Sequence, residues 1–142
     1  MPNYSSDSDL IAYEPNMLTY LPETTPPATS FDAQHAEAKR ILDEIIIRRL
    51  PESVKARVKR GKVTINDVVD EADLKTVSVF YTLFSVFNWL SMSGDDIFAV
   101  KAAKYLALFK EKAADLSFDI STNSDEDADE EVDAGNIRIE RG

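Results

Sequence analysis

The residues best spaced to bind a metal ion lie in an acidic run near the C-terminus. Asp125, Asp127 and Asp129 have the alternate spacing of the first ligands in an EF-hand calcium loop. The sixth position of such a loop is glycine and the twelfth is a bidentate glutamate, but these positions hold Glu130 and Asn136. The run therefore predicts a solvated acidic loop and no calcium site.

Other arrangements that support catalysis are also incomplete. His35 is the only histidine and cysteine is absent, so one chain offers no two-histidine or thiolate metal site and no cysteine nucleophile. His35 falls near the start of an amphipathic helix, where an ordinary polar or half-buried role is expected. Asp95 and Asp96 fit helix caps better than a general acid and base. The sequence thus predicts neither an enzyme nor a bound cofactor.

The remaining functional signal is a basic block within an acidic chain. The formal net charge is −10, yet residues 36–62 carry nine basic and four acidic side chains, whereas residues 117–142 carry nine acidic and two basic ones. Such segregation suits pairing between copies, and the overall sign argues against wrapping nucleic acid. The block is either a solvated helix face or a docking patch for an acidic protein surface or phosphates. Its candidate contact residues are Arg48, Arg49, Lys55, Arg57, Lys59 and Arg60.

A helical core must position these groups, and the stretch 70–91 is its centre. Five of the thirteen aromatic residues fall within ten positions here, namely Phe80, Tyr81, Phe84, Phe87 and Trp89. Two adjoining apolar stripes cover most of the surface of a helix, so that helix must be surrounded by others. The apolar run 77–90 is shorter than the roughly 20 residues that a bilayer requires, so no membrane span is predicted.

Helices are predicted on both sides of this stretch. An amphipathic helix over residues 33–50 has Ser30 as its N-cap, a short helix covers residues 52–60, and residues 62–65 are expected to be an extended connection before Asp67 or Asp70 caps the aromatic helix. The last helix, from residue 96 to 116 with Asp95 as cap, places Ile97 in its apolar face. A joint of three or four residues makes it the antiparallel partner of the aromatic helix.

The N-terminal 29 residues hold five of the six prolines, which excludes a long helix. Residues 7–13 fit one or two helical turns after Ser5 and Ser6, and residues 22–30 read as an extended linker. Two interpretations stay open. The segment is either a loosely attached terminus or an arm that packs on an adjacent subunit, because it carries many apolar residues for a solvated tail.

Beyond residue 116 the pattern changes to alternation, first in residues 116–120 and again at Ile137 and Ile139, which predicts two short strands around the acidic run. The expected fold is mainly α, a small helical bundle with two long antiparallel helices, an extended N-terminal arm and a short C-terminal β hairpin or arm. The corresponding domains are residues 1–29, 30–116 and 117–142.

The order of these parts resembles the head-tail connector, or adaptor, proteins of tailed bacteriophages. The resemblance lies in an amphipathic helix (AKRILDEIIIRRL), an aromatic helix opened by acids (EADLKTVSVFYTLFSVF), a second helix (DDIFAVKAAKYLALFKEKAADL) and a short FDIS strand. It covers roughly residues 30–122. The matching positions are Asp73, Leu74, residues 81–87, Ala103, Tyr105, Leu116 and Asp119.

The resemblance implies a viral structural protein that forms a ring, commonly of twelve copies, beneath the portal of the capsid. Such a ring is made in the host cytoplasm and then belongs to the virion neck, where it continues the DNA channel. Its partners would be other copies, the portal protein, a tail-side or tail-terminator protein and passing DNA without sequence-specific binding. No membrane contact is implied.

Contact residues are also expected outside the basic block. The two long helices give thin cover to the aromatic helix, so its surface around Phe87 and Trp89 is expected to lie against an arm or a neighbouring subunit. In the C-terminal segment the candidates are Asp125, Asp127, Asp129, Glu130, Glu131, Ile137 and Ile139. An alternative function is an acidic helical regulatory module that occupies a basic surface on another protein.

Overall fold

The computed structural model describes residues 3–23, 28–91 and 96–118. Within these ranges the chain is mainly helical, as the sequence predicts. The elements are α1 (Asp7–Tyr13), a 3₁₀ helix (Met17–Tyr20), α2 (Asp32–Arg49), α3 (Glu52–Lys59), α4 (Ile65–Val68), α5 (Glu71–Leu90) and α6 (Ile97–Ala114). They form two compact units. The first holds the chain up to Arg49 together with Glu71–Leu116, and the second holds Leu50–Asp70 with Ser117 and Phe118.

Local capping explains where the predicted helices begin and end. Ser6 is the N-cap of α1, and its backbone N–H donates to the Asp9 carboxylate at 2.9 Å in a capping box. The helix α3 stops at Gly61, whose positive φ of 79° suits glycine. There the N–H groups of Gly61 and Lys62 donate back to carbonyls of the last turn at 3.1 and 3.0 Å.

Two details of the predicted boundaries are corrected. The connection expected over residues 62–65 ends at Thr64, whose backbone is extended, because Ile65 begins α4. Thr64 is the N-cap of this helix, and the Asp67 carboxylate accepts from the Thr64 backbone N–H at 2.8 Å. Asp67 therefore belongs to the capping box of α4 and does not cap the aromatic helix. The N-cap of α6 is Asp96, which accepts from the Ala99 N–H at 2.7 Å. Asp95 lies outside the described residues.

The aromatic helix α5 is the centre of the first unit. Four successive residues, 77–80, are buried, and buried positions recur as far as Phe87. Successive side chains on an α-helix point about 100° apart, so such a run requires neighbours on every side.

The helix α6 packs antiparallel to α5, as predicted. The rings of Phe87 and Phe98 stack with centroids 6.0 Å apart, and those of Tyr81 and Phe109 meet edge to face at 5.1 Å. Phe87, late in α5, meets Phe98, early in α6, whereas Tyr81 meets Phe109 further along α6. The two helices therefore run in opposite directions. The side of α6 that faces inward carries Ala102, Tyr105, Phe109 and Ala113.

A second neighbour of α5 is α2, which buries His35, Ala38, Leu42 and Ile46 at spacings of three and four. Its opposite side carries a ladder of ion pairs, in which Arg40 contacts Glu37 at 2.6 Å and Glu44 at 2.7 Å. The amphipathic pattern of α2 is therefore confirmed, with the addition of a histidine to its buried side.

The N-terminal segment, residues 3–23, supplies the remaining cover for α5. Leu10 of α1 and Met17 of the 3₁₀ helix are fully buried. The Tyr13 ring meets the Phe80 ring at 5.4 Å, and the Tyr20 ring meets that of Phe87 at 5.9 Å. The segment thus packs on helices of its own chain and completes the core of the first unit.

The second unit is small and is built around α3 and α4. Its buried apolar side chains are Leu50, Val54, Val63, Ile65, Val68 and Val69. Val69 and Phe118 form a single antiparallel β-bridge. Of the predicted C-terminal hairpin, residues 116–118 are described and form no strand beyond this bridge, and the rest, with Ile137 and Ile139, lies outside the described residues.

A matched pair of leucine substitutions tests the packing of the N-terminal segment. Leu10→Ala should lower the free energy of unfolding by about 2–5 kcal/mol, because it removes a fully buried side chain and leaves a cavity. Leu18→Ala, at a site 46% exposed in the same segment, should cost less than about 1 kcal/mol. Urea unfolding followed by circular dichroism measures both. Equal losses for the two variants would show that Leu10 is not part of the core.

Candidate interaction surface

A chain of buried polar groups ties the N-terminal segment to α2 and α5. His35 is fully buried, and its Nε2 lies 3.1 Å from Asp7 Oδ1 while its Nδ1 lies 2.7 Å from Ser5 Oγ. Ser5 Oγ in turn lies 2.7 Å from Ser78 Oγ. In a neutral imidazole, Nε2–H donates to Asp7 and Nδ1 accepts from the Ser5 hydroxyl, which leaves Ser78 to donate to Ser5.

Asp7, His35 and Ser5 are linked in the same order as the acid, base and nucleophile of a hydrolytic triad. Whether they could act as one depends on whether the Ser5 hydroxyl is accessible. Ser5 is only 8% exposed, and its hydroxyl oxygen is shared between His35 and Ser78. A nucleophile must reach a substrate carbonyl, and this oxygen is enclosed by its own chain. The arrangement therefore acts as a structural clasp, in which His35 is more deeply buried than the sequence suggested.

A second polar clasp joins the end of α1 to α6. Glu14 accepts hydrogen bonds from Lys101 Nζ at 2.7 Å and from the Tyr105 hydroxyl at 2.6 Å. Burial opposes ionisation of Glu14, but the hydrogen bonds from Lys101 and Tyr105 outweigh it, so the pKa of Glu14 is lowered. Burial and the bond to Glu14 both raise the pKa of Tyr105.

A third contact holds the start of the segment against α2. The Tyr4 hydroxyl donates to Asp43, and Lys39 donates to the same carboxylate at 2.7 Å. Lys39 Nζ also lies 4.8 Å from the centroid of the Tyr4 ring. Burial, and to a lesser extent the hydrogen bond to Asp43, raises the pKa of Tyr4. Three polar contacts therefore fix the register of the segment on the helices.

The basic block is distributed over both units. Arg48 and Arg49 lie at the end of α2 in the first unit, where Arg49 donates to the carbonyl of Ala113 at 2.6 Å and so caps the end of α6. The other four residues belong to the second unit. Lys55 pairs with Glu52, Arg57 is buried, and Lys59 and Arg60 are exposed.

Phe87 and Trp89, two residues apart on α5, have opposite environments. Phe87 is fully buried, stacked on Tyr105 at 6.0 Å and in contact with Tyr20 of the N-terminal segment. Trp89 is 62% exposed. The indole borders a groove of about 320 Å³, here called the Trp89 groove, whose other lining residues are Pro22, Phe31, Gln34, Ser85 and Val86.

A second exposed apolar region lies on α6. Ile97, expected in the buried face, is 60% exposed, and Val100 is 58% exposed. The buried side of α6 begins one residue later, at Phe98, which meets the Tyr20 ring at 5.5 Å. Sequence periodicity missed Val100. Ile97 and Val100 are three residues apart and lie off the stripe of buried residues. This spacing places them together on the outer face of α6.

The predicted contacts of the acidic C-terminal segment lie outside the described residues, from Asp125 to Ile139. In the part of the chain that the structure describes, no group of three histidine or carboxylate side chains is placed to hold a metal ion. None of the described helices combines the length and the apolarity needed to cross a bilayer.

Comparison with known proteins gives no relative: no family model matches the chain, and neither a curated protein nor a solved structure is similar to it.

The lowered pKa of Glu14 predicts a pH-dependent contribution to stability. Its folded-state pKa lies below the ordinary value of 4.5, so the contribution is present above that pH and is lost as the pH falls through the folded-state pKa. Glu14→Gln should therefore destabilise the protein at pH 7, and the difference from the wild type should shrink as the pH falls below 4.5. Urea unfolding at a series of pH values measures the difference. If the difference in free energy of unfolding between the variant and the wild type stays constant with pH, the ionised Glu14 carboxylate does not stabilise this contact.

Proposed function

We propose that this protein is a structural adaptor of a tailed bacteriophage and not an enzyme. In this role it forms a ring under the portal, continues the DNA channel and docks the next tail component. The sequence resemblance to head-tail connectors supports the class of protein. The observation that carries the proposal is Trp89, a large aromatic side chain that is 62% exposed beside a mostly apolar groove.

Exposed tryptophan beside such a groove is typical of protein contacts, because tryptophan is enriched among residues that dominate binding energy. The groove is formed by three parts of the first unit, namely Pro22 near the end of the N-terminal segment, Phe31 and Gln34 around the start of α2, and the end of α5. Trp89 is mostly exposed, so it adds little to the core of this unit. We assign the Trp89 groove to contact with a neighbouring virion protein, either the portal or a tail-side protein.

The charges of the chain fit the same role. Acidic residues dominate the C-terminal segment, and like charge keeps a protein from adhering to the phosphates of passing DNA. Lys59 and Arg60 in the second unit are exposed and suit an acidic neighbour. Under this proposal, the protein is made in the host cytoplasm and then belongs to the neck of the virion.

Mixing the full chain with purified portal tests the proposal by sedimentation and electron microscopy. The expected result is a ring of this protein bound to the portal. Trp89→Ser should abolish the complex while changing the free energy of unfolding by less than about 1 kcal/mol, because the side chain is mostly exposed. Trp89→Phe is the matched control and should retain binding.

Two outcomes would contradict the proposal. A wild-type chain that neither forms rings nor binds portal is not an adaptor. If Trp89→Ser unfolds the protein outright, then Trp89 belongs to the core and the groove is not a docking site. Deletion of residues 123–142 distinguishes the regulatory alternative, since a regulator would lose its basic partner, whereas the adaptor keeps its fold and loses assembly.

A further inference from the structure

Three exposed cations surround the turn that ends α3. Lys59 is the last residue of the helix, Arg60 is its C-cap, and Lys62 follows Gly61. Lys59, Arg60 and Lys62 are here called the basic turn. The backbone N–H groups of Gly61 and Lys62 are already bonded to carbonyls of the last helical turn, so the side-chain charges are what this turn offers to a ligand.

No carboxylate among the described residues neutralises the basic turn. In the same unit, Glu52 pairs with Lys55 at 3.3 Å, and the Asp67 carboxylate accepts from the Thr64 N–H at 2.8 Å. Asp70 has its contact elsewhere. Residues 52–62 carry five basic side chains and one acidic one, so positive charge accumulates here without an internal counter-charge.

Cations of the first unit have a different environment. Lys39, Lys101 and Lys112 each have a carboxylate oxygen within 3.3 Å. Lys104 and Lys110 are exposed and lack one, but they lie six residues apart on α6, so they do not share a face of the helix. Three such cations within four residues distinguish the basic turn from these isolated lysines.

An acidic segment follows closely behind the second unit in the same chain. Residues 125–133 carry seven carboxylates and no basic side chain. Phe118, the last residue that the structure describes, is bridged to Val69 of the second unit. The chain from Phe118 to Asp125 can span up to about 25 Å, roughly twice the length of α3, so it is long enough for the segment to reach the basic turn.

Tethering selects the segment of the same chain over that of a second copy. A short tether gives an effective concentration of about millimolar, which exceeds the concentration of other copies in dilute solution. Opposite charge supplies the attraction in either case.

We infer that residues 125–133 bind the basic turn of their own chain, with carboxylates paired to Lys59, Arg60 and Lys62. The segment thereby masks these cations, and an acidic neighbour gains access to them only by displacing it. This contact goes beyond the adaptor role and depends neither on the portal nor on the Trp89 groove.

Carbodiimide cross-linking of the full chain tests the contact, because it joins a lysine amine to a carboxylate only where the two groups touch. Mass spectrometry should find Lys59 and Lys62 joined to residues 125–133. Sodium chloride at about 1 M, where the Debye length is about 3 Å, should suppress these cross-links. In a mixture of ¹⁵N-labelled and unlabelled chains, each cross-link should join two peptides with the same label, as expected for a contact within one chain.

The chain provides its own cross-linking controls. Lys101 and Glu14, 2.7 Å apart, should be joined in every sample. Lys104 and Lys110, which are exposed on α6, should not be joined to residues 125–133.

A fluorescent peptide of residues 123–136 tests the masking. It should bind about tenfold or more tightly to a full-length variant whose seven acids in residues 125–133 are changed to Asn or Gln than to the wild type, because the site is then vacant. Adding Lys59→Gln, Arg60→Gln and Lys62→Gln to that variant should abolish binding. The matched control adds three equal charge losses at exposed sites of the first unit and should retain binding, namely Lys75→Gln, Lys104→Gln and Lys110→Gln.

Four outcomes would overturn the inference. The first is the absence of cross-links to residues 125–133 where Lys101 and Glu14 are joined, and the second is their equal spread over Lys104 and Lys110. Cross-links that join labelled to unlabelled peptides would assign the contact to a second copy. Equal affinity of the peptide for the wild type and the seven-acid variant would show that the basic turn is not masked.

Discussion

The structure depends on the enclosure of α5. This helix is apolar over most of its surface, and residues 77–80 are buried in succession, so two flanking helices do not cover it completely. The N-terminal segment provides the missing cover through Leu10 and Met17. Full burial of side chains of this kind contributes about 1.5–3 kcal/mol each, which ties the stability of the core to a segment far from it in sequence.

Apolar burial does not by itself define where the segment lies on the helices, because it has no direction. The polar clasps supply that information. Ser5 contacts residues 30 and 73 positions away, His35 and Ser78, and each loses a hydrogen-bond partner if the segment shifts by one residue. Glu14 likewise fixes the position of the segment on α6, through its hydrogen bonds with Lys101 and Tyr105. Trp89, Ile97 and Val100 stay exposed in this unit, as do Tyr13 and Leu18.

Much of the fold could be predicted from local signals. Capping residues and apolar periodicity located α1, α2, α3, α5 and α6, since these signals act within one or two turns. The four-residue α4 was missed because it is too short to show a period. The burial of His35 could not be predicted either, because its partners come from distant parts of the chain. The exposure of Ile97 could have been predicted, because its spacing of three from Val100 lies off the stripe of buried residues in α6.

The N-terminal segment is part of the subunit's own core, and amide hydrogen exchange of the full chain tests this most directly. If α1 completes the core, amides near Leu10 should exchange as slowly as those at the centre of α5. The hydrogen bonds of both helices then break only when the first unit unfolds. Exchange of α1 at the rate of an unstructured peptide, while α5 stays protected, would contradict the account. It would show that α5 obtains its cover from elsewhere.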